Sequence, residues 1–255
     1  MRVMTFNLRF ENDRDGSNAW PLRRELVVDT IRRYAPSILG TQEGTCSQIE
    51  FLNSRLPDYH LHTPGRVFDD TCQYPTLFFR KDRCIITGGG EFWLSTTPAV
   101  HRSMNWDSAF PRMISYGHIT LRASGRSLVV AVTHLDHLGT EARRHQAAML
   151  AEWVATHGDP IILMGDFNDT PDGIVHGMLT APSTGLSDTW QIMGGVNDST
   201  SFTHHGFTGI PTKSRMDWIL VSTHFIVSDV RIVHDRFGKR YPSDHFPYLA
   251  ELELL

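Results

Sequence analysis

The chain has 255 residues, of which 40% are hydrophobic and 20% are charged, the composition of an ordinary globular domain. Its 24 basic and 28 acidic residues give a net charge of −4, which argues against a broad basic surface for long duplex nucleic acid. No apolar run approaches ~18 residues and no pair of cysteines has Cys-x-x-Cys spacing, so the sequence predicts no membrane span, disulfide framework or zinc site.

The first part of the chain predicts two strands and two helices. In chain order these are a strand over Arg2 to Arg9, a helix from Trp20 through Tyr34, a strand over Ser37 to Thr41 and a helix over Gln48 to Leu56. Pro21 suits the first turn of the first helix, and Pro36 ends it.

The rest of the chain predicts mainly strands, with one long helix over Glu141 to Thr156. The strands are Thr76 to Arg80, Cys84 to Gly88, Arg112 to Leu121, Ser127 to Thr133, a run ending at Asp166, Met216 to Val221, Phe225 to Val233 and Tyr248 to Leu254. Groups of several strands between outer helices favour two sheets packed face to face with helices outside, in one domain over residues 1–255.

Two polar side chains follow the most strongly apolar of these strands. Residues 160–168 read Pro-Ile-Ile-Leu-Met-Gly-Asp-Phe-Asn, a strand buried on both faces that ends in Asp166 and Asn168. Positions i and i+2 of a strand share a face, so both side chains can reach one point. Such a point suits a hard cation, a water molecule or a phosphate.

Other polar residues recur near the ends of apolar strands: Asn7, Glu43, His134, Asp217, Asp244 and His245. A single Asn or Asp at such a place is usually a turn residue or a helix cap, and a single histidine is often a hydrogen-bonded core residue. Asp217 is the exception, because it lies within the apolar run Met216 to Val221 and is costly there unless paired.

Together these residue types suit hydrolysis of a phosphoester. Glu43, with Asn7 and Asp244, offers oxygen ligands for Mg²⁺, and Mn²⁺ is an alternative. His134 or Arg112 can neutralise phosphate oxygens. Asp166 can accept a proton from the attacking water while Asn168 holds the geometry. Asp217 can fix the tautomer of His245 and favour its protonated form.

Six ordered segments carry a family resemblance: Thr5 to Arg9, Thr41-Gln42-Glu43, Thr133 to His137, Gly165 to Asn168, Arg215 to Ile219, and Ser243-Asp244-His245. In this order they are similar to the motifs of the endonuclease/exonuclease/phosphatase superfamily. The segments at Phe92 to Pro98 and Asn105 to Arg112 resemble a small bacterial branch related to the deadenylases and nocturnin.

The resemblance implies a four-layer α/β sandwich with the site at one end of two packed sheets, as in deoxyribonuclease I. It implies Glu43 as the principal metal ligand with Asn7 and Asp244 nearby, and a histidine–aspartate pair of His245 and Asp217. Asp166 with Asn168 then positions water and phosphate, and His134 is the second catalytic histidine. Whether Asp166 or His245 is the base stays open.

The leading interpretation is a Mg²⁺-dependent hydrolase of a phosphodiester in a nucleotide, short RNA or single-stranded DNA. The alternatives are a phosphatase or phosphodiesterase for a small metabolite or lipid headgroup, and a non-catalytic binding module on the same fold. With no recognisable secretory leader we expect a cytoplasmic protein, and nothing in the sequence indicates an oligomer.

Four loops are expected to decide which substrate is bound: Glu11 to Asn18, Thr63 to Tyr74, Pro98 to Phe110 and Asp198 to Pro211. In the second, Gln73 stands where the branch usually has a glutamate, and we expect it to orient His134 without adding charge. In the fourth, His204-His205 is expected to lie in a solvated loop rather than beside a metal.

Overall fold

The computed structural model describes all 255 residues. It contains twelve strands and five α-helices, with a 3₁₀ helix over Asp13–Asn18. The strands are β1 Arg2–Asn7, β2 Ile38–Gly44, β3 Tyr59–His62, β4 Tyr74–Arg80, β5 Cys84–Trp93, β6 Met113–Leu121, β7 Ser127–His134, β8 Ile161–Asp166, β9 Leu186–Asp188, β10 Asp217–Ser222, β11 Phe225–Ile232 and β12 Tyr248–Leu254. The helices are α1 Trp20–Tyr34, α2 Cys46–Arg55, α3 Thr140–Ala155, α4 Ile174–Leu179 and α5 Thr189–Ile192.

The strands form two six-stranded mixed sheets. One sheet has the order β11-β12-β1-β2-β4-β3 and the other has the order β5-β6-β7-β8-β10-β9. Most neighbours are antiparallel, whereas β1 pairs with β2 and β7 pairs with β8 in parallel. The predicted pair of face-to-face sheets is therefore confirmed.

Three buried clusters show the layers. One, with Val3, Met164 and Ile219 among its members, fills the space between the sheets. A second joins the first sheet to α1 and α2, and a third joins the second sheet to the helices α3 and α4. Because β8 is covered on both faces, its run from Ile161 to Met164 is continuously apolar, as the sequence predicts. The four-layer α/β sandwich is confirmed.

The structure differs from the predicted elements in a few places. The strand predicted over Cys84 to Gly88 continues through the glycines to Trp93 as β5, and its pairing with β6 shifts between Ile86 and Gly88. The sequence did not predict β3, β9, α4 or α5, which have three to six residues each and too few positions to establish a period. None of the helices combines the length and apolar character that crossing a bilayer requires.

Candidate active site

The site lies at one end of the two packed sheets. Its central side chains are on the strand faces that point between the sheets, at the ends of those strands. On β8, Met164 belongs to the inter-sheet core and Leu163 to the cluster on the helix side. Since side chains alternate along a strand, Asp166 falls on the inter-sheet face. The same alternation puts Asn7, His134 and Asp217 on that face at the ends of β1, β7 and β10.

Strand register then brings three of these residues side by side. Asp166 is opposite His134 on the parallel neighbour β7 and opposite Asp217 on the antiparallel neighbour β10. Neighbouring strands lie about 4.8 Å apart, so polar groups in adjacent rows can interact directly.

Asp217 and His245 form a buried hydrogen-bonded pair. Nδ1 of His245 lies 2.8 Å from Oδ2 of Asp217, and the other carboxylate oxygen is buried without a partner. Burial by itself lowers the pKa of His245, but the charge and hydrogen bond of Asp217 outweigh it and raise the pKa to about 10. The imidazole is therefore protonated at neutral pH, with Nδ1 donating to Asp217.

The Asp166 carboxylate is the centre of the site. Its Oδ2 accepts from Nδ2 of Asn7 at 2.9 Å and lies 3.6 Å from Nε2 of His134 and 3.9 Å from Nε2 of His245. Burial, followed by the nearby charge of Asp217, raises the pKa of Asp166 to about 7. A carboxyl group with this pKa can accept a proton near neutral pH.

Asn168 links Asp166 to His134. Its backbone N–H donates to Oδ1 of Asp166 at 2.9 Å, and its φ of 50° is a left-handed conformation that asparagine tolerates better than most residues. Its side-chain amide donates to the Leu135 carbonyl and to Nε2 of His134. Burial and the charge of Arg112 lower the pKa of His134, so the ring is neutral and accepts at Nε2.

A bulge in β2 presents Glu43 to the site. The pairing of β2 with β4 shifts between Thr41 and Gly44, and Glu43 has a φ of 64°. Such a bulge turns a side chain away from its regular alternation. Glu43 accepts from Nδ2 of Asn7 at 3.1 Å and from the backbone N–H of Phe10 at 3.0 Å.

Asn7 connects two carboxylates of the site through its side-chain amide. Its amide group donates to both Glu43 and Asp166, while its oxygen accepts from the backbone N–H of Arg9. The oxygen retains a second lone pair, so the role of Asn7 as a metal ligand stays a prediction.

Asp244 is buried beside this group. The hydroxyl of Ser243 donates to the backbone carbonyl of Asn7, which fixes the last motif against β1. Burial opposes ionisation of Asp244, but the charges of His245 and Arg9 outweigh it and hold the pKa of Asp244 below its usual range. Nε of Arg9 lies 3.9 Å from Oδ2 of Asp244.

A polar cavity of about 280 Å³ joins these residues. Seven of the nine predicted site residues line it: Glu43, Arg112, His134, Asp166, Asn168, Asp244 and His245. Asn7 and Asp217, each 1% exposed, lie behind this lining and contact it. The structure thus brings all nine together.

The cavity also contains residues that were not assigned to the site from the sequence: Arg9, Phe10, Phe110, His137, His204, Lys213 and Met216. Four of them, Arg9, His137, Met216 and Phe110, lie inside the segments that carry the family resemblance, which was the signal available for them. The other three, Phe10, His204 and Lys213, lie outside the named strands and helices, where no periodicity indicates which side chains face inward.

The expectation for His204-His205 was wrong. The backbone of His204 forms isolated antiparallel β-bridges with Thr212 and with His245. Its ring lies edge-on to that of His245, with the ring centroids 5.1 Å apart. His205 is buried and stacks on Phe246. Backbone pairing with the last motif draws this loop into the site.

Gln73 lines the cavity without a hydrogen bond to His134, which is held instead by Asn168. Gln73, Phe110 and His204 come from three of the four loops expected to surround the site. These loops contribute one side chain each, while strand ends supply the polar centre.

Comparisons with known proteins give a family match and several structural likenesses. The model of the Endonuclease/Exonuclease/phosphatase family matches residues 4–245. A curated relative, the uncharacterized protein YbhP of Escherichia coli K12, is 38% identical over 85 residues, which are 31% of this chain and 33% of that protein. The match therefore spans about a third of this curated relative.

Two solved structures extend the likeness to the whole chain. A mannosyl-6-phosphatase of Bacteroides thetaiotaomicron is 29% identical with a TM-score of 0.88, and the match covers 100% of both chains. The catalytic domain of human nocturnin is 22% identical with a TM-score of 0.74, covering 100% of this chain and 93% of that one. The second likeness concerns the fold alone.

Proposed function

The chain belongs to the endonuclease/exonuclease/phosphatase family, and we propose that it is a divalent-metal-dependent phosphoester hydrolase that acts on a small phosphorylated molecule. One observation carries the proposal. Asp166, whose raised pKa suits proton transfer at neutral pH, lies 3.9 Å from the protonated His245 inside one polar cavity. At this separation Asp166 can accept a proton from a water molecule. The cationic His245 can donate a hydrogen bond to a phosphate oxygen next to that water.

The donor set fits a Mg²⁺ or Mn²⁺ ion. Glu43 and Asp244 are carboxylates that line the cavity together with Asp166, and hard cations prefer oxygen ligands. We assign Glu43 and Asp244 to the metal, and Asn7 to holding Glu43 in place. A bound divalent cation supplies charge neutralisation for the phosphate oxygens.

The protein side chains divide the remaining work. Asp166 accepts the proton of the attacking water, and the backbone and side chain of Asn168 hold Asp166 and His134 in position. His245 donates from Nε2 to a phosphate oxygen, because its Nδ1 is committed to Asp217. This assignment makes Asp166 the base and His245 the electrostatic stabiliser.

Arg112 adds a second cation. It is 6% exposed, its Nε has no hydrogen-bond partner, and it lies 3.6 Å from Asp136. A buried guanidinium with an unused donor is costly unless an anion completes its contacts. We assign Arg112 to binding the phosphate.

A small phosphomonoester is supported by the likeness to the mannosyl-6-phosphatase over the full length of both chains. It is also supported by the limited volume and polar lining of the cavity. Phosphodiester hydrolysis, which the sequence favoured, is the second candidate. It is supported by an adjoining cavity that leaves room for a larger substituent and shares His137, Asn168, Lys213 and Met216 with the first.

A substrate panel tests the proposal. With Mg²⁺ present we expect hydrolysis of mannose 6-phosphate and p-nitrophenyl phosphate, with slower hydrolysis of bis-p-nitrophenyl phosphate, oligo(A) and sphingomyelin. EDTA should abolish the activity, and Asp166→Ala should lower kcat by at least about 100-fold because the base is lost.

Asp159→Ala is the matched control, since Asp159 is exposed and precedes the opposite end of the same strand. It should retain wild-type kcat. Full activity of Asp166→Ala, or of wild type in EDTA, would reject the proposal. A preference for the diester would favour the second candidate.

A further inference from the structure

His137 lies where two cavities meet. It lines the polar cavity that contains Asp166, and it also lines a second cavity of about 510 Å³ with Leu138, Thr170, Lys213, Ser214 and Met216. The ring is exposed, and its single side-chain hydrogen bond is to Arg112. The proposed reaction leaves this histidine without a role.

The contact with Arg112 determines the tautomer of His137. Nη2 of Arg112 lies 3.3 Å from Nδ1 of His137. A guanidinium carries only donors, so Nδ1 must be the acceptor and the neutral ring must carry its proton on Nε2. Partial burial, followed by the charge of Arg112, lowers the pKa of His137, which keeps the ring neutral at neutral pH.

Asp136 holds both partners of this contact. Its Oδ2 accepts from the backbone N–H groups of Ala109 and Phe110, just before Arg112, and its Oδ1 accepts from those of Leu138 and Gly139, just after His137. One buried carboxylate therefore ties the two segments together. The position of the His137 Nε2–H group is therefore fixed before a ligand binds.

The second cavity has more hydrogen-bonding groups than the protein uses. The hydroxyls of Thr170 and Ser214 and the ammonium group of Lys213 line it without a side-chain hydrogen bond or ion pair. Leu138 and Met216 supply apolar wall. Several unused donors beside a limited apolar surface suit a molecule rich in hydroxyl groups.

We propose that His137 binds the organic part of the substrate as a fixed Nε2–H donor, and that the second cavity receives a polyhydroxylated group such as a sugar. This inference rests on the proposed phosphoester hydrolysis at the adjoining site. It makes His137 a specificity-determining residue.

The kinetic test compares a sugar phosphate with an aryl phosphate. His137→Phe keeps an aromatic ring beside Phe110 but removes the donor, whereas the amide of His137→Gln can replace Nε2–H. We expect His137→Phe to lower the ratio of kcat/KM for mannose 6-phosphate to kcat/KM for phenyl phosphate by about fivefold to tenfold, mainly through KM. His137→Gln should keep this ratio within about twofold of wild type.

His60→Phe is the control, because His60 is exposed on the edge strand β3 and lines neither cavity. It should leave the ratio unchanged. An unchanged ratio in His137→Phe overturns the inference, and so does an equal loss in the phenylalanine and glutamine variants.

A measurement independent of activity separates this inference from the proposed function. In ¹⁵N-histidine-labelled protein with Mg²⁺, long-range ¹H–¹⁵N correlations should show His137 neutral and protonated at Nε2, and mannose 6-phosphate should shift its signals more than inorganic phosphate does. This result without any hydrolysis would reject only the proposed reaction. An Nδ1–H tautomer, or equal shifts with both ligands, would reject the role of His137.

Discussion

At the scale of single residues, the site depends on polar groups whose charge is set by a neighbour. His245 is held protonated by Asp217, His134 is kept neutral by burial and by Arg112, and the pKa of Asp166 is raised by burial and Asp217. Two histidines in one cavity thus differ in protonation: His245 is positively charged and His134 is neutral. Their environments, not their residue type, assign them different roles.

Asp217→Asn tests this dependence. The substitution keeps the shape of the side chain but removes the charge that stabilises the His245 imidazolium. We expect kcat for p-nitrophenyl phosphate at neutral pH to fall about 100-fold, with KM less affected. Steady-state kinetics on folded protein, checked by circular dichroism, measure the effect.

Two further variants show whether Asp217 acts through His245. The double variant Asp217→Asn/His245→Ala should be no slower than His245→Ala alone, because residues in one hydrogen-bonded unit are not additive. Asp235→Asn, which removes a pair with the exposed Arg33, should leave kcat unchanged. Independent losses in the double variant would show that Asp217 has another function.

At the scale of elements, buried polar contacts help to hold the short segments before β10. Asp188, at the end of β9, caps α5 through the Trp190 N–H and contacts His176 of α4 and Arg215, which comes just before β10. Both Asp188 and Arg215 have fully buried side chains. Because Arg215 is two residues before Asp217, these contacts fix the position of the chain just before that site residue.

The pKa of Asp188 gives a pH-dependent prediction. Burial opposes its ionisation, but the hydrogen bond from His176 and the charge of Arg215 outweigh it, so the pKa in the folded state lies below the usual value. A depressed carboxyl pKa stabilises the fold above the unfolded-state pKa of about 3.9, and this stability is lost as pH falls through the folded-state pKa.

Asp188→Asn should therefore lower the free energy of unfolding at pH 7 by about 3 kcal/mol, because Arg215 is left buried without its charged partner. Below pH ~4 the difference from wild type should shrink. Urea denaturation across pH 3 to 7 measures both effects. The control Asp82→Asn, at an exposed pair with Arg80, should change little, and equal stability of Asp188→Asn and wild type at pH 7 would contradict the prediction.

At the scale of the whole molecule, the site lies across the seam between the two sheets. Glu43 and Asn7 come from one sheet, whereas His134, Asp166 and Asp217 come from the other. The hydrogen bond from Asn7 to Asp166 crosses this seam. Anything that binds the site therefore stabilises the packing of the two halves.

Metal binding should consequently raise thermal stability. With Mg²⁺ at about 100 times its Kd, binding only to the folded state adds about 2.7 kcal/mol, which corresponds to an increase in Tm of about 5 to 10 °C for a chain of this size. Differential scanning calorimetry with and without EDTA measures it.

Glu43→Gln should lose most of this increase, since it removes the proposed carboxylate ligand. Glu50→Gln, on the exposed face of α2, should retain it. If Glu43→Gln keeps the full increase in Tm, the metal is held elsewhere.

The sequence by itself determined the layers and the main strands, and it singled out nine residues that the structure brings together. It could do so because buried strands are continuously apolar, and a polar residue that interrupts or ends such a run is costly without a purpose. Asp217 within Met216 to Val221 is the clearest example. The short elements β3, β9, α4 and α5 escaped prediction because their few residues show no period.

Only the tertiary structure decided which side chains meet and in which protonation state. The bulge that turns Glu43, the engagement of both ends of Asn7 and the entry of His204 into the cavity depend on pairing between segments far apart in the chain. The tautomer of His137 depends on a donor 25 residues away. Such contacts are set by backbone register and burial, which local sequence patterns do not encode.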